Sequence, residues 1–332
     1  MIHPRSTPSV LQRTRENIFR KWSLVAGNPN TAAARLVEQD FFPVHCRPSF
    51  QMSRQSQVFT MGSCFARNIE YIFDRLGVPV LTARFSVPSS CYLNANREAD
   101  SGAPHRGLLN KFNPHSMLME LQRALTDYPL QDEGLIEVSP GVWFDPQSTN
   151  TKPGDYAAVA DLRHQVREVT SRVRQADVVF LTLGMTETWY DSVSGLSLNN
   201  APPTAYFKAM PGRFQFKNAT SGEVVESLRS MFTLLQLHGK PGVRIVITVS
   251  PVPLGLTFTG YDVVEANAYS KATLLSAARQ VAAEFENVDY FPSYEMVVHT
   301  PVEKAYKEDR LHVRSELVEF VINRFCDAYL KD

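Results

Sequence analysis

The sequence predicts an α/β chain, a doubly wound, mostly parallel sheet between two layers of helices, and three observations carry that prediction. Apolar runs of strand length alternate along the chain with amphipathic stretches of helix length. The strongest runs are apolar on successive residues rather than alternate ones, as strands buried on both faces are. Three of them, Gln57–Met61, Val178–Leu183 and Val243–Val249, run directly into polar, turn-forming residues: Gly62-Ser63, Gly184 and Ser250. Parallel strands ending that way gather their polar residues at one carboxyl edge, where open α/β sheets bind ligands.

The elements follow in order. Residues 1–45 lie outside the sheet pattern, and Leu11, Ile18, Phe19 and Trp22 predict one amphipathic helix in an arm packed on the rest, residues 46–332. Gln57–Met61 delivers Ser63 to a helix whose apolar face is Phe65, Ile69, Ile72, Phe73 and Leu76, with Gly77 as its stop. Val78–Leu81 reads as the second strand. Phe112-Asn113-Pro114 is a turn opening a helix over Pro114–Leu125. Further helices are expected at Ala160–Gln175, Ser221–His238, Val263–Glu284 and Val313–Leu330, and a last strand at Val288–Phe291. Residues 196–220, rich in Asn, Pro and aromatics, exceed an ordinary connection and predict an insertion or lid, in which Tyr206, Phe207, Phe214 and Phe216 either meet a ligand or anchor the loop.

Two segments carry chemistry. Ser63 falls at a helix start, where unpaired N–H groups and the positive end of the helix dipole stabilise a neighbouring anion. The same position is ordinary capping chemistry for a serine. Near the other end, Asp309 and His312 stand three apart before the last helix. An aspartate bonded to one ring nitrogen fixes the tautomer and leaves the other to take a serine proton, and a solvated loop is the plainer reading of the same spacing. Cys64 is the rival nucleophile, but one helical step turns its side chain about 100° from that of Ser63.

The string GSCFA at 62–66, with TLGMTETW at 182–189, SPVPL at 250–254 and DRLH at 309–312, resembles the GSCFA domain family, itself regarded as similar to the SGNH, or GDSL-like, hydrolases. The resemblance implies an SGNH-hydrolase-like, flavodoxin-like three-layer sandwich. It implies Ser63 as nucleophile, His312 as general base and then acid, and Asp309 as the group orienting His312. SGNH enzymes complete the oxyanion hole with a Gly in a second block and an Asn in a GxND block. Here the latter reads Gly184-Met185-Thr186-Glu187, which puts Thr186 in the Asn place and Glu187 in the Asp place, with Glu187 expected to support a neighbouring loop. In the second block Gly107, Asn110 and Asn113 are available donors, and Asn113 is favoured. The implied activity is hydrolysis of an acyl, O-acetyl by preference, ester of a carbohydrate or small metabolite through an acyl-enzyme. The alternatives are O-acyl transfer to a glycan or metabolite hydroxyl and a catalytically degenerate binding module.

Composition bounds the rest. The chain has 332 residues, 44% hydrophobic and 20% charged, enough for a substantial core. Equal numbers of basic and acidic residues, 34 each, give no global field toward nucleic acid or an anionic membrane surface. Four scattered cysteines predict neither disulfides nor a zinc knuckle, and the eight histidines form no ligand pattern, so no metal and no cofactor are expected. Without an apolar span or a secretory leader, the sequence predicts a cytoplasmic protein with a small-molecule or glycan ester as its partner. It is silent on oligomeric state.

Overall fold

A computed structural model describes residues 7–83, 85, 87, 88, 91 and 106–331; residues 1–6 of the arm and His105 lie outside the described residues. Its centre is a four-stranded sheet of Val58–Gly62, Val178–Leu183, Arg244–Val249 and Val288–Tyr290, all parallel and adjacent in that order. Val80 adds a single parallel bridge to the outer side of Val58, so Val78–Leu81 lies in the place of a second strand but makes only that bridge. Pro79 is the physical reason, since it has no N–H to give a ladder. With that segment counted, the spatial order is 2-1-3-4-5, and the connections reverse direction between Gly62 and Leu183. This is the switch point at which doubly wound sheets open a crevice.

Strand residues alternate between two buried faces. Phe59, Met61, Val179, Leu181, Ile245 and Ile247 pack beneath the helices Pro114–Leu125, Ser221–His238 and Val263–Ala282. Val58, Val178, Phe180 and Val246 pack beneath Cys64–Arg75, Ser293–Val298 and Ser315–Tyr329. The last helix matters most for the site, because it fixes the loop before it. Phe325 stacks on Tyr329 at 4.3 Å and meets Phe180, Phe291 and Phe73 edge-on at 4.9, 5.3 and 5.8 Å. Truncating such a side chain costs on the order of 3–5 kcal/mol, so this helix is a firm mount for residues 309–313.

Three expectations need correction. The first arm helix is Thr7–Glu16, which ends before Ile18, and Leu11, Ile18 and Trp22 are exposed rather than packed. A second helix, Ala32–Glu38, is capped by Thr31 and places Arg35 over the Phe42 ring, and the arm docks just beyond it, where Phe42 N donates to Thr300 Oγ1 at 2.9 Å. The segment 196–220 is no simple loop. It belongs to a three-stranded antiparallel sheet of Ser197–Leu198, Glu187–Asp191 and Phe214–Asn218, with a short helix Thr204–Ala209, and so starts at Glu187. Its turns carry left-handed glycines, Gly195 and Gly212. Tyr206, Phe207, Phe214 and Trp189 form this unit's own small core, so its aromatics anchor the element. A hairpin, Ile136–Ser139 with Val142–Phe144 turning at Gly141, is a further addition. Among the described residues, no helix is long and apolar enough to cross a membrane.

Candidate active site

Gly62 ends the first core strand with φ at +154°, and a Cβ there would lie 2.5 Å from the carbonyl oxygen of Thr182. Only glycine allows the strand tip to turn this close to its neighbour. The turn delivers Ser63 as N-cap of Cys64–Arg75, its Oγ accepting from Phe65 N. Ser63 is 3% exposed. The Cys64 N–H lies in the first turn of this helix, where N–H groups lack an intrahelical partner, beside the hydroxyl. Cys64 turns away as its helical position requires, and burial pushes its thiol above the ordinary range, against the nearby N–H groups of Phe65 and Cys64 itself. A thiol in that state is a poor nucleophile at neutral pH.

Asp309 and His312 meet. Asp309 accepts the backbone N–H groups of Leu311 and His312 on one oxygen, each at 3.0 Å, and its other oxygen lies 2.6 Å from His312 Nδ1. Those bonds, the one to the His312 ring foremost, hold the carboxyl well below the usual carboxylate range. Arg310 sits in the left-handed region at φ +55°, which lets the chain double back within four residues. The turn is closed by Lys307 N donating to the His312 carbonyl at 2.7 Å and by a bridge between Tyr306 and Val313. His312 is half-exposed, with Nε2 as its free nitrogen. His299 packs against Phe42 and Trp22.

The loop after Arg244–Val249 links the two halves. Ser63 Oγ donates to Ser250 Oγ at 3.0 Å, not to His312. Ser250 N in turn donates to the Leu183 carbonyl at 2.7 Å. On the same loop, the Pro251 carbonyl accepts from Tyr306 Oη at 3.1 Å, and a methyl added at Gly255 would touch Leu311. Ser63 and the Asp309-His312 turn therefore border one loop at the carboxyl edge, with the serine hydroxyl parked on Ser250. Sequence reasoning gave Ser250 no role; its signal was a hydroxyl ending a core strand.

The expected oxyanion donors are arranged otherwise. Asn113 is wholly buried as N-cap of Pro114–Leu125; its Oδ1 accepts from Ser116 N, and its Nδ2 donates to the Leu198 and Asn199 carbonyls at 2.9 and 3.4 Å. Both ends are committed, so the preference for Asn113 as a donor is corrected. Thr186 is likewise buried, its hydroxyl donating to Asn218 Oδ1 at 2.6 Å and its N–H to Ser270 Oγ at 3.0 Å. Gly184 gives its N–H to the Phe112 carbonyl, and a Cβ there would lie 2.6 Å from that same oxygen. Glu187 accepts from Thr257 Oγ1 and, at 2.9 Å, from Phe258 N, tying the antiparallel unit to the loop after Arg244–Val249.

Asn110 differs from all of these. It bridges Gly62 from the outer side of the first strand, next to Ser63, and Lys111 N donates to the Gly62 carbonyl. Its backbone carbonyl accepts from Asn199 Nδ2, while its side-chain Oδ1 is buried without a partner among the described residues. A half-turn about χ2 exchanges that oxygen for the NH2 group, so either end of the amide can occupy that position. No group of three or more His, Cys, Asp or Glu is placed to hold a metal ion among the described residues.

A comparison with curated proteins returns no match. Among solved structures, a carbohydrate esterase family 2 enzyme with a carbohydrate-binding domain, from Corynascus thermopiles (Myceliophthora fergusii), is similar at 12% identity over 86% of this chain and 67% of that chain, with a TM-score of 0.36. The model of the GSCFA family matches residues 57–325, which take in the Ser63 turn, the 184–187 block and the Asp309-His312 turn, and the chain belongs to the GSCFA family.

Proposed function

We propose that this protein is a serine esterase of the SGNH type, with Ser63, His312 and Asp309 as its triad and an acyl ester of a carbohydrate or small metabolite as its substrate. The observation that carries the reading is the Asp309-oriented imidazole bordering the same loop as an N-cap serine at the positive end of a helix. Rotation of Ser63 about χ1 moves Oγ from Ser250 toward the cleft; such looseness before substrate binds is common in apo sites. Oγ then attacks the ester carbonyl as His312 Nε2 takes its proton. The oxyanion forms against the N–H groups of Ser63 and Cys64 and the Asn110 amide. Its collapse breaks the bond to the leaving alkoxide, which takes the proton from His312, and water repeats the sequence to free the acyl group. In this reading the antiparallel unit that includes 196–220 walls the cleft, held there by Glu187, and residues 1–45 form a separate docking arm.

Intact mass after incubation with a small fluorophosphonate tests this directly. Oγ bonds to phosphorus, fluoride leaves, and the adduct mass reports one activated serine. We expect one adduct on the native protein and on Cys64→Ala, and none on Ser63→Ala. A folded native protein that stays unmodified sinks the esterase reading and leaves a binding module.

A further inference from the structure

Behind Cys64 lies a lysine that the triad does not use. Lys271 is 1% exposed on the Val263–Ala282 helix, and its Nζ donates to the Gly184 carbonyl at 2.7 Å. Its neighbour Ser270 accepts from Thr186 N, so two consecutive residues of one helix hold the block that follows the Val178–Leu183 strand. A lysine is almost never wholly buried unless a carboxylate pairs with it, and none does among the described residues. The other fully buried lysine, Lys111, has Glu120 at 2.6 Å and Arg163 beyond it. Lys271 has one backbone carbonyl and, as the titratable group whose charge bears on it, the Cys64 thiol. Charged groups on the packed Ser221–His238 helix are engaged elsewhere, Glu223 with Lys217 and Arg229 with Glu284. An isolated buried cation is costly, and a fold that keeps one at the edge of a site has a use for its field.

We propose that Lys271 is a positioning residue for the oxyanion site: its ammonium pins the Gly184 carbonyl and sets a positive charge directly behind the residue that follows the nucleophile. The proposal rests on the esterase reading. In that site GMTE stands where GxND would supply an asparagine, and Thr186 is turned away to Asn218. A buried cation replaces part of the lost stabilisation through the low-dielectric wall, without touching substrate. The sign of the pH effect follows. Burial pulls the Lys271 ammonium down to about 7, so the helpful charge is present below that pH and lost above it.

The test is the rate of fluorophosphonate labelling of Ser63 across pH 5.5 to 9.5, on the native protein and on Lys271→Met, which keeps the packing and removes the charge. We expect the native rate to fall as the pH rises through about 7. The folded variant should lose the falling limb and label at least about tenfold more slowly at the native optimum. A native rate that rises to a flat plateau overturns the proposal without any variant, so a variant that fails to fold does not protect it. A folded variant with the native profile overturns it equally. Both results leave Ser63 labelled and the esterase reading intact, whereas a native protein that labels at no pH removes both.

Discussion

Asn110 and Asn113 stand three residues apart in one segment, and the proposed site gives them opposite tasks that mutation can separate. Asn113→Ala removes an N-cap, worth about 1 kcal/mol, and strips a buried carbonyl, Leu198 O, of its donor, worth about 1–3 kcal/mol. The sum is a loss of about 2–4 kcal/mol of stability. Asn113→Asp keeps the capping oxygen but sets its second oxygen against the Leu198 and Asn199 carbonyls in a buried site, so it should cost at least as much as Asn113→Ala. Asn110→Ala removes a side chain whose oxygen bonds to nothing, and should change stability by no more than about 1 kcal/mol. It should nevertheless slow labelling of Ser63 on the order of a hundred- to a thousandfold, the usual cost of one oxyanion donor. Urea unfolding followed by circular dichroism, together with labelling rates under native conditions, measures both quantities. If Asn110→Ala labels at the native rate, or a fully folded Asn113→Asp is inert, the assignment of the two amides is wrong.

Two other changes probe the strand tip and the turn. Gly62→Ala puts a methyl 2.5 Å from the Thr182 carbonyl oxygen at a φ that L residues avoid, and should cost about 2–5 kcal/mol in urea unfolding; a native midpoint would mean that the tip is not held as close as it is drawn. Asp309→Asn should slow labelling by about a hundred- to ten-thousandfold, because an amide no longer favours the imidazolium and can select the other tautomer. The Asp309 carboxyl is depressed, so its contribution is present above the ordinary carboxylate range and is lost only as pH falls through its lowered value; an Asp309→Asn variant that labels at the native rate at neutral pH would contradict that.

Continuous apolar runs made the sheet legible. Val178–Leu183 and the helices Pro114–Leu125 and Ser221–His238 have the bounds that their periodicity and caps imply, because both the strand faces and the helix stripes are buried. The Ser63 turn was legible too, since a glycine followed by a serine at a strand end leaves few other conformations. What escaped was everything decided by partners distant in sequence. Asn113 looked like a free amide until Leu198 and Asn199 came to meet it from 85 and 86 residues away. Thr186 is claimed by Asn218, and Glu187 by Thr257 and Phe258, in the same manner. The antiparallel unit was missed because its strands are short and its aromatics serve a local core. Lys271 did leave a trace: it lies three residues before buried Leu274 and seven before Ala278, which puts a charge on an otherwise apolar helix stripe.

The departure from GxND changes how the third block contributes. In an asparagine-bearing block one side chain both reaches the oxyanion and belongs to the loop. Here the loop's polar groups are all turned inward: Gly184 and Met185 give their N–H groups to Phe112, Thr186 binds Asn218 and Ser270, and Glu187 fastens the antiparallel unit to the loop behind Ser250. A block so fully bonded is rigid, and rigidity at the switch point is useful only if something else presents the donors. The proposed contacts lie on the first strand's side: the Ser63 and Cys64 N–H groups at the helix start, and the Asn110 amide held level with Gly62 by the adjacent bridge. With Lys271 lodged beneath the third block, one side of the crevice supports and the other makes contact. A double variant then has a definite expectation. If Asn110 contacts the oxyanion and Lys271 acts through the field, removing both should slow labelling by roughly the product of the single effects, whereas a shared hydrogen-bond network would make the second loss much smaller than the first.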